Sequence, residues 1–143
     1  MKTEKMKIFL VDDDAVFLRL LAIEFGQHGD FAIETFATGE LCIAQLVTGP
    51  DMIILDYYLD TIDKTAMNGL NTLDQIKAFN PAIPVVMLSC QDSIDVAVNC
   101  MHHKVLDYVV KSETSFMRLK NIISTLLQHQ KLEKELHWYM DRM

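Results

Sequence analysis

The sequence has few cysteines, and their placement excludes a disulfide framework. It has three, Cys42, Cys90 and Cys100, and no two of them have CxxC spacing. An odd number without close pairs is typical of buried thiols in a reducing compartment rather than of disulfides or a zinc site. Long apolar runs are also missing. The first apolar run covers residues 8–11, which is too short for a signal peptide or a membrane span. These features predict a cytoplasmic protein without a membrane segment.

Runs of lysine or arginine are absent as well, and the formal net charge is -7. A negative surface repels nucleic-acid phosphates unless a local basic patch overcomes it, so we expect no direct nucleic-acid binding within this chain. The chain has 143 residues, of which 50% are apolar, enough for one sizeable core. It contains no internal repeat, low-complexity segment or linker that would divide the domain.

Short apolar runs alternate along the chain with segments of helical spacing. The first helix is expected over residues 15–27, with Val16, Leu20 and Ile23 at helical spacing until Gly26 and Gly29 break it. Alternating strands and helices form right-handed crossovers, which give a parallel sheet covered by helices on both faces. The five strands are predicted at residues 7–11, 31–36, 52–56, 85–88 and 105–110.

The predicted helices have recognisable first turns. Thr38 and Asn68 are expected to cap the second and third helices, and Asp92 or Ser93 the fourth. Asp14 is more plausible as a first-turn charge or N-cap of the first helix than as a metal ligand. The last helix should begin near Thr114.

Polar side chains follow four of the strands. Asp12 and Asp13 follow the first, Asp56 ends the third, Ser89 ends the fourth and Lys111 follows the fifth. Ligands in open α/β sheets gather at the carboxyl ends of the strands. Carboxylates brought together there would repel one another, so the pocket requires a cation, and Mg²⁺ suits oxygen ligands shared with a phosphate. A lysine and a hydroxyl opposite the metal would contact the other phosphoryl oxygens, and an acyl phosphate on aspartate is a known covalent intermediate.

Four segments in this order and spacing resemble the receiver domain of two-component response regulators. The resemblance covers the chain up to the last helix, and implies a flavodoxin-like five-stranded sheet of order 2-1-3-4-5 phosphorylated by a histidine kinase or a phosphotransfer protein. The segments are Leu10-Val11-Asp12-Asp13-Asp14, Ile54-Leu55-Asp56, Leu88-Ser89 and Asp107-Tyr108-Val109-Val110-Lys111.

The resemblance also implies roles for single residues around a Mg²⁺ ion. Asp56 matches the phosphoacceptor and Lys111 the lysine of the family. Asp13 matches the direct metal ligand, and Asp12 the carboxylate that acts through water. Tyr58, two residues after the acceptor, would offer its backbone carbonyl to the metal.

Two further residues match the family's switch. Ser89 corresponds to the hydroxyl that moves towards the phosphoryl group, and Tyr108 to the aromatic side chain that turns inward with it. Phosphorylation would then be transmitted through the face of helix 4, strand 5 and helix 5. From the residues alone, Ser89 is equally compatible with a strand-end hydroxyl and Tyr108 with core packing.

The chain departs from the family pattern in three places. The loop over residues 57–68 is several residues longer than usual and has no proline, so an extra lobe borders the site; Asp60, Asp63 and Lys64 either tune access to the phosphoryl group or lie in an inert loop. Ser112 replaces the usual proline after the lysine, so the peptide between Lys111 and Ser112 is expected to be trans, or cis and strained. Cys90 and Gln91 follow Ser89, at positions known in the family to influence phosphoryl lifetime.

The last helix is longer than the fold needs, running to about Asp141. We divide the chain into a receiver domain over residues 1–131 and a helical extension over residues 132–143. The first half of the helix carries a stripe for the sheet, and the extension has a second apolar face beside Trp138. That face indicates a homodimer contact or a connection to a missing output domain, against the alternative of a frayed tail. The stripe is Phe116, Leu119, Ile123 and Leu126, and the second face Leu132, Leu136, Tyr139 and Met140.

The predicted function is a phosphorylation-operated switch that gains and loses a phosphoryl group but converts no metabolic substrate. Its output would come from a downstream effector protein or from an output domain in a longer chain. One alternative is a Mg²⁺-dependent aspartyl-phosphate hydrolase, which would need a second aspartate where Tyr58 stands. The other is a degenerate receiver that serves only as a protein-binding module.

Overall fold

Five strands and five α-helices alternate along the chain in the computed structural model, which describes residues 5–90 and 93–142. A single 3₁₀ turn at Leu46–Thr48 follows the second helix. The elements are β1 (Met6–Val11), α1 (Ala15–His28), β2 (Phe31–Phe36), α2 (Gly39–Ala44), β3 (Met52–Asp56), α3 (Gly69–Phe79), β4 (Val85–Ser89), α4 (Ile94–His102), β5 (Asp107–Val110) and α5 (Ser115–Asp141).

All strand pairs are parallel, and the strand order is β2-β1-β3-β4-β5, which confirms the predicted flavodoxin-like sheet. The registers align the carboxyl ends of the inner strands: Val11 of β1 lies beside Leu55 of β3, and Asp56 lies beside Leu88 of β4. The order reverses at β1 and β3, so the residues that follow these strands meet at the sheet's switch point.

Successive residues of the inner strands point to opposite faces, and each face has its own apolar core. Phe9 and Ile53 face a cluster that includes Leu73 and Cys100, which covers the sheet with α2, α3 and α4. The alternate positions face α1 and α5, through Leu21, Phe25, Leu119 and Ile123. Helices on both faces leave the carboxyl ends of the strands as the accessible edge of the sheet.

The N-caps that the sequence predicts are confirmed. The side chains of Asp14, Thr38, Asn68 and Ser93 each accept a hydrogen bond from a backbone amide in the first turn of α1, α2, α3 and α4. Asp92, the alternative cap of α4, lies outside the described residues. Each cap fixes where its helix leaves the loop at the carboxyl edge of the sheet.

Two predicted boundaries differ from the structure. The first helix was expected over residues 15–27, whereas α1 continues through Gly26 to His28 and ends at Gly29, one of the two glycines expected to break it. The fifth strand begins at Asp107 rather than Val105, because its register with β4 starts where Asp107 lies beside Val86; the chain turns at Lys104, whose φ is 65. The carboxyl end of β5, which carries the site, is where the sequence places it.

The apolar residues that identified α1 are not its buried face. Val16, Leu20 and Ile23 are 69%, 58% and 47% exposed, whereas Leu21 and Phe25 are buried. The helix is apolar on several sides, so its spacing predicts a helix without selecting the side that packs. The stripe on α1 therefore lies on the surface.

The long last helix is confirmed, and its two halves differ as expected. Leu119 and Ile123 are buried and Phe116 and Leu126 are partly buried against the sheet. Every described residue after Leu126 is exposed. None of the described helices is both long and apolar enough to cross a membrane.

Substitution of Gly69 should be costly because two backbone segments meet there. A Cβ atom at this first residue of α3 would lie 2.5 Å from the carbonyl oxygen of Asp56 and 2.6 Å from that of Tyr57. Backbone atoms cannot rotate away, so we expect Gly69→Ala to lower the free energy of unfolding by roughly 2 kcal/mol in denaturant titrations.

Gly26→Ala is the matched control, since a Cβ atom there has no heavy atom within 4 Å. Alanine favours the helix over glycine, so this variant should be more stable by about 0.5–1 kcal/mol. Equal effects of the two substitutions would contradict the close approach at Gly69.

Candidate functional site

Three carboxylates converge at the switch point of the sheet. Asp12 follows β1 and Asp56 ends β3; their residues are 2% and 3% exposed, while Asp13 is half-buried. One oxygen atom from each carboxylate lies within 4.8 Å of the other two. The backbone amide of Asp12 donates to the carbonyl of Phe36 at 3.0 Å, which fixes Asp12 against the end of β2. The structure therefore brings together the three acidic residues that the sequence predicts.

Lys111 enters the same pocket from the end of β5. Its Nζ atom lies 2.7 Å from Oδ2 of Asp12 and 3.6 Å from Oδ2 of Asp56. The Phe17 ring, with its centroid 4.6 Å from Nζ, covers the ammonium group through a cation–π contact. The amide of Lys111 donates to the carbonyl of Ser89 at 2.7 Å, which holds the backbone at the sheet edge. The lysine is thus directed inward, and closer to Asp12 than to Asp56.

The peptide between Lys111 and Ser112 is trans, like every other peptide bond in the described chain. The first of the two geometries expected from the missing proline is therefore the one found.

Burial and a like charge control the ionisation of Asp56. Its pKa is raised from the ordinary 3.8 to about 8, chiefly because burial penalises the carboxylate and next because Asp12 repels it. Lys111 and the backbone amide of Tyr58, which donates to Oδ1 of Asp56 at 3.4 Å, oppose this rise. An ionised Asp56 therefore needs more positive charge than Lys111 supplies.

The pKa of Lys111 shifts in the direction that maintains its charge. Burial alone lowers the pKa of this ammonium group, but the contact with Asp12 and the charges of Asp56, Asp12 and Asp14 outweigh burial, so the pKa is raised. Lys111 is therefore a permanent cation in the pocket.

The donor set of this pocket fits a hard divalent cation. Three carboxylates face one ammonium group, so the ionised pocket has surplus negative charge. Oδ2 of Asp12 is buried and, within the described chain, has no hydrogen bond of standard geometry beside its ion pair with Lys111. Among the described residues, the group that could hold a metal consists of carboxylates alone, and oxygen ligands suit Mg²⁺ better than a transition metal.

The two predicted switch residues lie on the strands next to this pocket. Ser89 is buried at the carboxyl end of β4, beside Val110 of β5. Tyr108, on β5, is half-buried and packs against the core cluster beneath α2, α3 and α4. Cys90, which follows Ser89, is exposed, and Gln91 lies outside the described residues.

The long loop over residues 57–68 borders the site, as the sequence predicts, and it is attached there by contacts that the sequence did not predict. Leu59 is buried in the core, and the amide of Met67 donates to the carboxylate of Glu40 on α2. Between these points, the backbone amide and the hydroxyl of Thr61 both donate to Oδ2 of Asp13. No motif singled out Thr61, because its contact depends on how the loop folds back rather than on spacing along the chain.

This fold and this pocket together define a flavodoxin-like α/β domain with an acidic, lysine-containing site at its switch point. The model of the response regulator receiver domain family matches residues 8–124. The chain belongs to that family, and it is therefore a receiver domain of two-component signalling.

Relatives of known name and structure agree with this assignment. The transcriptional regulatory protein ZraR from Klebsiella oxytoca is 29% identical over 134 residues, which cover 94% of this chain but 29% of that protein. The structure of NtrX from Brucella abortus has 27% identity and a TM-score of 0.79, covering 93% of this chain and 30% of NtrX. A CheY-like receiver domain protein from Methanospirillum hungatei JF-1, at 20% identity and a TM-score of 0.76, shares the fold over 90% of this chain and 98% of its own. The chain thus spans less than a third of ZraR and NtrX.

Asp56→Asn should stabilise the metal-free protein at alkaline pH. With a raised pKa, folded Asp56 retains a proton that the unfolded chain releases. The contribution of Asp56 to the free energy of unfolding is therefore greatest below pH 3.8 and is lost as the pH rises from there through about 8. Asparagine carries no charge to desolvate. In chelator at pH 9, we expect the variant to unfold with a free energy at least about 2 kcal/mol above wild type.

The difference should shrink towards pH 5, and Mg²⁺ should reduce it at pH 9. Asp30→Asn, at an exposed carboxylate paired with Lys5, is the matched control and should show no such pH dependence. A constant difference between wild type and Asp56→Asn across this pH range would contradict the raised pKa.

Proposed function

We propose that this receiver accepts a phosphoryl group on Asp56 from a histidine kinase or a phosphotransfer protein. The observation that carries this proposal is the meeting of Asp56, Asp12, Asp13 and Lys111 in one pocket. A carboxylate oxygen of Asp56 attacks phosphorus, a phosphorus–oxygen bond forms, and the bond to the donor nitrogen breaks. Hydrolysis of the acyl phosphate by water later restores the carboxylate.

Mg²⁺ is the cofactor that we assign to this pocket. Asp13 and Asp56, with Asp12 acting through water and the backbone carbonyl of Tyr58, would hold it; when bound, it neutralises charge on the phosphoryl oxygens. The donor chemistry of the pocket supports this assignment, and so does the raised pKa of Asp56, which indicates missing positive charge.

Lys111 exchanges one ion-pair partner for another when Asp56 is phosphorylated. In the unphosphorylated domain, its ammonium group lies 2.7 Å from Asp12 and 3.6 Å from Asp56. Transfer replaces the single negative charge of the Asp56 carboxylate with a phosphate group of up to about two negative charges, so the ammonium group should move from Asp12 towards it. Ser89 would donate its hydroxyl to another phosphoryl oxygen, and Tyr108 would turn inward. The face formed by α4, β5 and α5 then changes its population of states.

The competing functions fit the site less well. A hydrolase of the aspartyl-phosphate class needs an acid two residues after its nucleophile, and Tyr58 stands there. A receiver used only for binding would not need the acidic cluster and the inward lysine. We therefore assign this chain no metabolic substrate, only Mg²⁺-dependent gain and loss of its own phosphoryl group.

The output is assigned to an effector protein or an output domain, since ZraR and NtrX are more than three times as long as this chain. We place the receiver at residues 1–131 and the helical extension at residues 132–143. The protein is assigned to the cytoplasm, because its three cysteines are free thiols and its family acts in two-component signalling.

The exposed half of α5 is suited to pair two copies of the chain. Residues 132–142, the described part of the extension, form about 16 Å of exposed helix at about 1.5 Å per residue. His129, Leu132, Leu136 and Tyr139 recur at alternating spacings of three and four residues, all on exposed positions. This spacing is typical of the contact line between two paired helices. We therefore propose that two copies of the chain form a homodimer through this helix, and that the helix connects the receiver to its output.

Treatment with a small-molecule phosphodonor and Mg²⁺ should add one phosphoryl group to the wild-type chain and none to Asp56→Asn, because the neutral amide of asparagine is not a nucleophile towards phosphorus and Asp12 and Asp13 are assigned to the metal. Lys111→Ala should retain Asp56 but accept phosphate at least about tenfold more slowly, since a charge that stabilises the transferred group is lost. Intact-mass measurement over time gives both results.

Asp30→Asn, which removes a carboxylate far from the pocket, should be phosphorylated like wild type. Turnover of the donor without accumulation on the wild-type chain would favour the hydrolase, and neither accumulation nor turnover would favour the binding module. Phosphorylation of the Asp56→Asn variant would show that Asp56 is not the phosphoacceptor.

Leu136→Glu should dissociate the proposed dimer, because it places a carboxylate at the centre of the apolar contact line. Lys134→Glu introduces the same side chain on the opposite side of the helix and is the matched control. Sedimentation equilibrium should give a dissociation constant at least about tenfold higher for Leu136→Glu than for the control. A dimer that persists in a chain ended after Lys131 would refute the role of the extension.

A further inference from the structure

Thr61 donates two hydrogen bonds to Asp13, a residue of the proposed metal site. Its backbone amide lies 3.2 Å from Oδ2 of Asp13, and its hydroxyl donates to the same oxygen. An ionised carboxylate has about four acceptor positions, two on each oxygen. Two donors on Oδ2 therefore occupy that oxygen and leave Oδ1 for a cation.

The surrounding loop holds Thr61 in this place. Two residues earlier, Leu59 is buried in the core beneath α2, α3 and α4. Two residues later, Asp63 closes a turn by accepting hydrogen bonds from the amide and hydroxyl of Thr65, and Ala66 donates to the carbonyl of Asp63. Because both sides are tied by the chain's own contacts, the hydrogen bonds of Thr61 need little further ordering of the loop.

The occupied oxygen restricts how Asp13 can bind a metal ion. Ca²⁺ takes six to eight oxygen ligands and commonly binds both oxygens of one carboxylate, whereas Mg²⁺ takes six in a strict octahedron and binds a carboxylate through one oxygen. A carboxylate limited to one oxygen meets the need of Mg²⁺, and it denies Ca²⁺ the two-oxygen mode that helps to fill its larger coordination sphere. The contact of Thr61 with Asp13 thus affects which ion binds, in addition to positioning the Asp13 side chain.

We infer that Thr61 is a specificity-determining residue, which favours Mg²⁺ over Ca²⁺ by confining Asp13 to coordination through one oxygen. The inference rests on the proposed function, since it takes Asp13 as a ligand of the ion. It assigns the long loop a role in ion selection, and Asp60 and Lys64 are not needed for it.

The test is calorimetric titration of the full chain with MgCl₂ and with CaCl₂. Thr61→Val retains the branched shape and the backbone amide but removes the hydroxyl, so the ratio of the Ca²⁺ to the Mg²⁺ dissociation constant should fall about fivefold, the effect of one lost hydrogen bond. Thr61→Ser restores the hydroxyl and should restore the ratio. Circular dichroism of each variant should match wild type.

Thr65→Val is the matched control, because it removes a hydroxyl in the same loop that contacts Asp63 rather than a proposed ligand. Its ratio should equal that of wild type. If Thr61→Val weakens both ions equally or leaves the ratio unchanged, Thr61 does not select the ion, although the Mg²⁺ site stands. If wild type binds neither ion, the proposed Mg²⁺ site fails and the inference with it.

Discussion

The burial of neighbouring carboxylates at the end of a parallel sheet is the constraint on which the rest of this site depends. The strand order makes β1 and β3 neighbours, and their register brings Asp12 and Asp56 to the same edge. Both are buried, so neither is screened by water, and Lys111 offsets only part of their charge. Burial and the charge of Asp12 raise the pKa of Asp56 further than Lys111 lowers it. A pocket in this condition favours a divalent cation, and under the proposed function a phosphoryl group would change its charge again.

The apolar layers around the pocket maintain this unfavourable arrangement. The strands that carry the acids are buried on both faces, between α1 and α5 on one side and the other three helices on the other. Close approach of backbone at Gly69 fixes the loop directly after Asp56. These contacts do not involve charge, so the stability of the framework holds together a site whose charges would otherwise move apart. Substitutions that remove charge from the site are therefore expected to raise stability while they lower function.

The sheet and the site were predictable from the sequence because each strand is a short apolar run that ends on a polar residue. Asp13, Asp56 and Lys111 could be located by that transition alone, and the family resemblance then supplied roles that spacing does not contain. The buried faces of the helices were not predictable from spacing: Leu21 rather than Leu20 packs on the sheet, since α1 is apolar on several sides and only tertiary packing selects one. Contacts made by a loop that folds back on the site depend on the whole structure and leave no local signal.

The connection between the pocket and the last helix is short and directly bonded. Ser115, the first residue of α5, accepts a hydrogen bond from the amide of Ser112 at 2.7 Å and donates to the carbonyl of Val110 at 3.4 Å. Lys111 lies within this segment, so under the proposed function a move of its side chain from Asp12 towards a phosphoryl group would act on the backbone that begins α5. Because the helix packs through Leu119 and is exposed beyond Leu126, a small change at its start would become a larger displacement at its exposed end under the proposed function. A helix anchored this close to Lys111 would then be a physical route from the site to a partner.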